Sequence, residues 1–408
     1  MTVNMLRMFV LFLVHITCVL GTCDLSSEPN IKQLDIRIPE MEVPKKLTHY
    51  VCQQFKVPDN EDYNAVAFEG LIGNPDAVHH ILLFGCDFEV EQFVPHECGN
   101  YDGRCRSWLA QWTIGVDRKI CTNKDAGIRF GKNFYKYMSL QIHWNNNHFD
   151  INQSDSSGIR LYYTNKLRDH EVGNVQIGQN DLEIPTGSSR TMQMGSCSQT
   201  CTQRILPHPI YLTKTYIHMH NLGIEGKLEI YRDGRLVTEV AHDAVYDYHK
   251  SPIHYHEPVE VKPGDEVRLT CWYKSGNNHT IYWGEGSDAE MCYAFVTYFP
   301  KVSGFDQCVQ FEKYDVNCHI RGEPYMGGCS FQNFEYELQS SLTEEILSKC
   351  QPDGICEKSC FTSLRKFLEH PCKQGRFKDY TDRLFPSRVQ HWNKLEQTTK
   401  MYKISCQQ

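Results

Sequence analysis

Positive charge is not in excess in this chain: 42 lysines and arginines stand against 50 aspartates and glutamates, a net charge of −8. A surface that neutralises phosphates needs the opposite balance, which excludes a nucleic-acid partner. No run after residue 20 is apolar enough to span a membrane, and the one that exists, Met8 to Leu20 behind Arg7, is too short. No CxxC spacing repeats, so zinc knuckles are out. HExxH, a strand-borne GxGxxG, a P-loop and the GxSxG elbow are missing too, which removes zincin proteases, dinucleotide enzymes, P-loop nucleotidases and serine hydrolases.

Cysteine, by contrast, is plentiful. Nineteen cysteines in 408 residues, without knuckle spacing, fit a disulfide framework closed in an oxidising compartment and speak against the cytosol. Arg7, the apolar run and Val19-Leu20-Gly21 read as a signal peptide over residues 1–21. Its removal takes Cys18 away and leaves an even number of cysteines, able to close completely into bridges. Asn152-Gln153-Ser154 and Asn278-His279-Thr280 are glycosylation sequons that put Asn152 and Asn278 on the surface of a protein secreted or held in a secretory-vesicle lumen.

At roughly 150 residues per domain the length asks for two or three domains. From about residue 34 to 310, short β-rich runs alternate with Gly, Pro and Asn turns, the pattern of antiparallel sandwiches, and there is chain enough for two in tandem. A boundary is expected between Lys166 and Gly173, or in the Ile184-Pro185-Thr186-Gly187 turn. Seven cysteines between Cys318 and Cys406, with helical signals, mark a small disulfide-rich tail. Ser341-Leu342-Thr343-Glu344 resembles a capping box opening a helix toward Cys350, and Phe361, Leu364, Arg365 and Leu368 follow helical spacing. So short a tail is expected to lack a core of its own and to lean on the preceding domain through disulfides. The expected organisation is therefore mainly β: residues 1–21, 22–166, 167–310 and a tail at 311–408.

The candidate chemistry lies in histidines. Val78-His79-His80 opens a strongly apolar strand, and two buried imidazoles are costly without partners. Adjacent strand residues point to opposite faces, so one ion held by both demands a bulge or a strand end near His79. Alternation along Tyr137–Trp144 puts Met138, Leu140, Ile142 and Trp144 on one face and Ser139, Gln141 and His143 on the other, where a lone histidine is ordinarily solvated. In Tyr216-Ile217-His218-Met219-His220 the i and i+2 histidines share a face and can grip one ion. His254-Tyr255-His256, between Pro252 and Pro258, reads as a loop of no metal-binding consequence. Met291 is a core residue by default, although a soft ion would want its thioether beside two imidazoles, and that donor set suits copper.

These motifs, with their order HHILLFGC, LQIH, HMH and EMC, resemble the copper type II, ascorbate-dependent monooxygenases over roughly residues 34–310. Leu34-Asp35-Ile36-Arg37-Ile38-Pro39 resembles the peptidylglycine-hydroxylating branch. Ser154 to Thr164 and Cys197-Ser198-Gln199-Thr200-Cys201-Thr202-Gln203 look like the dopamine β-hydroxylase-like branch. The resemblance implies two jelly-roll-like sandwiches facing across a solvent-filled cleft, with two coppers per subunit and ascorbate as electron donor. His79, His80 and His143 would hold the electron-supplying ion, and His218, His220 and Met291 the one that meets O2. It also implies pairing of Cys52 with Cys98, Cys86 with Cys105, Cys197 with Cys308 and Cys271 with Cys292, with Cys201 reaching into the tail. Two departures stand out. Tyr216 occupies the place where the peptide-hydroxylating branch has a carboxylate-binding arginine, and its phenol is expected to line the cleft and stack on substrate. The sequence also passes almost directly into the core, without the further domain that precedes it in the amine hydroxylases. The implied activity is hydroxylation of a small molecule, an aryl-ethylamine of the dopamine or tyramine kind. Peptide C-terminal α-hydroxylation and a non-catalytic copper-binding protein are the alternatives.

Overall fold

The computed structural model describes residues 23–98, 102, 105–116, 119–146, 148–286, 288–316, 318, 325–353 and 355–406. The expected signal peptide, Cys18 included, lies outside the described residues. Period-2 alternation builds the first sandwich: on the strand Tyr137–Asn145, Met138, Leu140, Ile142 and Trp144 are fully buried between two sheets. One sheet runs in the order His96–Glu97, Thr48–Lys56, Tyr137–Asn145, Val78–Cys86, Ser107–Thr113. The other runs Lys32–Arg37, Gly158–Thr164, Asp62–Leu71, Ala126–Gly131, His170–Glu171, with Lys119–Cys121 beside Asp62–Leu71. Ile81 and Leu83 of the first sheet meet Phe68, Phe130 and Leu161 of the second in one core.

The chain crosses to the second sandwich at Val172. His170–Glu171 pairs with Ala126–Gly131 of the first, whereas Gly173–Gln179 pairs with Tyr293–Phe299 of the second. The Ile184-Pro185-Thr186-Gly187 turn lies inside the second sandwich, where Glu183–Ile184 pairs with Ile281–Tyr282. A sheet ordered Ile253–Val261, Ile210–His218, Tyr293–Phe299, Gly173–Gln179, Gln307–Phe311, Tyr314–Asp315 packs on Thr191–Cys197, Asp265–Tyr273, Gly223–Arg232, Arg235–Asp243. Ile177, Ile217 and Val296 interleave there with Leu228, Ile230 and Leu269. The pairing is not wholly antiparallel: His170–Glu171 on Ala126–Gly131, and Gln307–Phe311 on Gly173–Gln179, run parallel. Both strands return to their sheet after a long excursion rather than through a hairpin, which removes the antiparallel constraint.

The tail departs from expectation. Phe334, Leu338, Ile346, Leu364, Phe367, Phe385, Trp392 and Leu395 form a hydrophobic core of its own, joined by Phe311. Its bridges Cys329–Cys372, Cys350–Cys360 and Cys356–Cys406 are internal, and only Cys201–Cys318 ties it back. Docking is instead polar and aromatic: Arg376 pairs with Asp181 and Glu183, and Tyr380 packs on Trp283. Ser341 caps nothing, because Phe331–Glu337 continues through a π-turn, Leu338–Leu342, into Thr343–Lys349, so no free helix start exists there. Ser330 is the cap, accepting from the Asn333 N–H. In Lys358–Leu368 the buried stripe is Cys360, Leu364 and Phe367, and Phe361 faces out.

The remaining disulfides are Cys23–Cys121, Cys52–Cys98, Cys86–Cys105, Cys197–Cys308 and Cys271–Cys292, so every cysteine from 23 onward is bridged.

Candidate metal centres

Two neighbouring histidines share one site because the sheet slips. His143 sits opposite His80, but Trp144 sits opposite Val78, so His79 is the extra residue of a β-bulge. The bulge turns His79 to the side of its neighbour. Nδ1 of His79 lies 3.1 Å from Nδ1 of His80, which lies 3.4 Å from Nδ1 of His143. Tyr50 stacks flat on His143 at 4.3 Å between centroids.

The polar face of Tyr137–Asn145 is not solvated. Ser139, Gln141 and His143 are all buried, Ser139 donating to Asp102, which also receives Gln54. Burial, followed by the nearby His220, pushes the His79 imidazole down to about 4, and burial takes His80 and His143 well below their ordinary range. Three neutral imidazoles thus point nitrogens at one another, and protons shared between them cannot satisfy all three. A cation can, and imidazole suits copper.

The second group lies at the mouth of the other sandwich. His218 is the last residue of Ile210–His218, and His220 lies just past the strand end. Their rings are 5.3 Å apart. His220 Nδ1 faces the Ala289 carbonyl at 2.8 Å; a carbonyl only accepts, so the proton sits there and Nε2 keeps its lone pair. Burial holds His218 well below its usual range and lowers His220 too. Met291 is not on a core strand. It precedes Tyr293–Phe299, is partly exposed and lines the cleft, while the adjoining Cys292 is buried in its bridge to Cys271.

Glu290 went unremarked in the sequence and organises this corner. Its buried carboxylate accepts from the backbone N–H groups of His220 (2.8 Å), Leu222 (2.6 Å) and Met291 (3.2 Å), clamping the HxH turn to the methionine segment. Burial raises its carboxyl to about 7 against the pull of those donors. Its only sequence signal is adjacency to Met291. Tyr248 was equally silent, since nothing about a loop tyrosine announces that its hydroxyl bonds His79 of the other sandwich.

The cleft between the sandwiches is bridged rather than open. Trp108 packs edge-on against Phe295 at 5.0 Å, and Asn174 donates to the Trp108 and Leu109 carbonyls. Beside that bridge lies a hollow of about 320 Å³ lined by His80 and Gln141 on one side, His218 and Met291 on the other, and Tyr380 and Arg388 of the tail helix Gly375–Arg388. Tyr216 is not in that lining, which corrects the expectation for it. Tyr216 is 6% exposed, its ring runs parallel to Phe295 at 6.2 Å between centroids and stands 6.0 Å from His218, and it lines a separate cavity of about 40 Å³ between the sandwiches. His254 and His256 lie on the strand Ile253–Val261, not in a loop, and diverge onto Asp243 and Thr215. The sulfurs of Cys197, Cys201 and Cys308 are close together, but all three are bridged and none is a free thiolate. Asn152 and Asn278 are exposed.

Residues 34–150 match the copper type II ascorbate-dependent monooxygenase N-terminal domain, and residues 170–320 match the C-terminal domain of the same family. Dopamine beta-hydroxylase of Bos taurus is 31% identical over 288 residues, covering 66% of this chain and 47% of that one. The human dopamine beta-hydroxylase is 30% identical, covering 66% and 46%, and the human DBH-like monooxygenase protein 1 is 27% identical, covering 66% and 47%. The chain spans about half the length of the relatives it matches.

Proposed function

The chain belongs to the copper type II ascorbate-dependent monooxygenase family, and from that premise we propose that it is itself a monooxygenase, using ascorbate and O2 to hydroxylate an activated C–H of a small aryl-ethylamine in a secretory compartment. In this reading His79, His80 and His143 hold one copper and His218, His220 and Met291 the other. When bound, the two ions supply one-electron redox chemistry and O2 activation. The observation that carries the reading is the bulge at His79, which gathers three neutral imidazoles beside a cleft that also holds His218 and Met291.

The protein's own groups do the rest. Burial keeps the imidazoles unprotonated at neutral pH, so their nitrogens remain ligands. Glu290 and the Ala289 carbonyl orient His220, and the Tyr273 hydroxyl, 2.6 Å from the Met291 carbonyl, holds the methionine segment. Trp108, Tyr293 and Phe295 wall the cleft with aromatic surface. Glu285 and Asp306 bring carboxylates to it that suit an ammonium group. Burial lifts the Asp306 carboxyl to about 6, still below neutral, so it is mostly charged at pH 7. Arg106 and Arg388 line the same cleft, Arg388 lying 3.9 Å from Glu285, so the charges there are mixed and the preference for an aromatic amine over a glycine-extended peptide rests on the aromatic walls and on Asp306.

The test is turnover with ascorbate, O2 and added copper over a panel of aryl-ethylamines and glycine-extended peptides, with mass detection of a +16 product. Amine products with stoichiometric ascorbate use are expected. Products from peptides alone overturn the substrate class, and copper binding without ascorbate or O2 consumption overturns catalysis.

A further inference from the structure

The loop at residues 244–252 leaves the second sandwich between Arg235–Asp243 and Ile253–Val261 and is pinned to it at both ends. The buried Tyr246 hydroxyl bonds Met219 N–H (2.9 Å) and the Met219 carbonyl (2.7 Å), and the Ser251 hydroxyl donates to the Ile217 carbonyl at 3.0 Å. Between those anchors the tip of the loop crosses to the first sandwich. The His249 carbonyl lies so close to Gly115 that a Cβ there would stand 2.8 Å from it, and Gly115 has φ +89°, a conformation glycine accepts at little cost.

Tyr248 rides on that tip, between the two histidine groups. Its ring centroid is 6.1 Å from His79, 6.2 Å from His218 and 6.1 Å from His220, and its hydroxyl hydrogen-bonds His79 Nε2. A neutral imidazole has one proton. If the proton is on Nε2 and the phenol oxygen accepts it, Nδ1 presents its lone pair to the His80 and His143 nitrogens. If the phenol donates instead, the proton is on Nδ1 and blocks the position that a metal needs.

We propose that Tyr248 is the positioning residue through which the second sandwich sets the tautomer and ring orientation of His79, so that the three-histidine centre is fully formed only when this loop is docked. The phenol oxygen accepts a hydrogen bond from Nε2–H, Nδ1 keeps its lone pair, and a residue of one sandwich thereby completes the ligand set of the other. The assignment rests on the two-centre reading above for what that ligand set binds.

Tyr248→Phe removes the hydroxyl and keeps the ring, so the loop and the fold are retained. Two measurements on the full chain decide the matter. In metal-free protein labelled with ¹⁵N-histidine, NMR should show His79 as the Nε2–H tautomer in the unmutated chain and as a mixture in Tyr248→Phe. By chelator competition, Cu(II) affinity at the three-histidine centre should fall about tenfold, with its EPR signal altered and the second centre unchanged. The proposal is overturned if His79 keeps the same tautomer in both proteins, or if copper affinity at that centre stays within twofold. An unmutated chain that held no copper at the three-histidine centre would sink the two-centre reading instead, and the metal-free NMR comparison would still decide the role of Tyr248.

Discussion

Replacing Glu290 by alanine is expected to damage one centre while sparing the other, and the size of the effect follows from its three bonds. Glu290 is 1% exposed, and its carboxylate receives the N–H groups of His220, Leu222 and Met291. Each N–H left without an acceptor in a buried place costs roughly 1–3 kcal/mol. Against this stands the relief of no longer burying a carboxylate, whose rise to about 7 reports an appreciable desolvation cost. The net loss is about 3 kcal/mol. In a sandwich of this size that lowers the melting point by roughly 6–12 °C.

Glu290→Gln keeps the shape and one acceptor oxygen but aims an NH₂ at a donor, so about 1 kcal/mol is lost. Since the clamp joins the HxH turn to Met291, copper affinity at that centre should drop at least tenfold in the alanine variant, with the three-histidine centre unaffected. Calorimetry of the metal-free chain and copper competition read the two effects separately. A Glu290→Ala protein that melts within about 2 °C of the unmutated one and holds its second copper as tightly would refute the clamp.

Three further outcomes are expected. The unmutated chain should bind two coppers, and His143→Ala about one, because the remaining ligands belong to another sandwich; metal analysis finding one copper before mutation contradicts the two-centre reading. Met291→His trades a soft donor for a harder one, so Cu(I) binding and turnover should fall while Cu(II) binding persists, and turnover at the original rate would return Met291 to a packing role. The metal-free protein should weaken in acid. His79 titrates near 4 when folded but near 6.5 when unfolded, so its contribution, about 3 kcal/mol, is complete above pH 6.5 and is lost as pH falls toward 4. A urea midpoint independent of pH between 7 and 5 would contradict this.

How much of this was legible beforehand depends on the range of the interaction. Alternation is local: the side chains of Tyr137–Trp144 declare their two faces with a period of two, and Met138, Leu140, Ile142 and Trp144 fill the core as that period requires. The same rule misjudged the opposite face, because what covers Ser139, Gln141 and His143 comes from distant segments. Tyr216 shows the limit from the other side. Alternation puts it on the face of His218, yet only the packing of the two sandwiches against each other decides that its ring lines a small separate cavity with Trp108 and Phe295 rather than the larger hollow.

By itself the sequence determined the β class, the cysteine framework and the donor types available, since composition, spacing and pleat are properties of neighbouring residues. Only the tertiary structure decided that His79 is bulged, that a tail with its own core walls the cleft, that Glu290 ties two segments together and that Tyr248 reaches across to His79. A bulge exists only relative to a partner strand, and a buried carboxylate or a bridging phenol only relative to groups brought from far along the chain. Those relations are written in three-dimensional register, which no local pattern of residues contains.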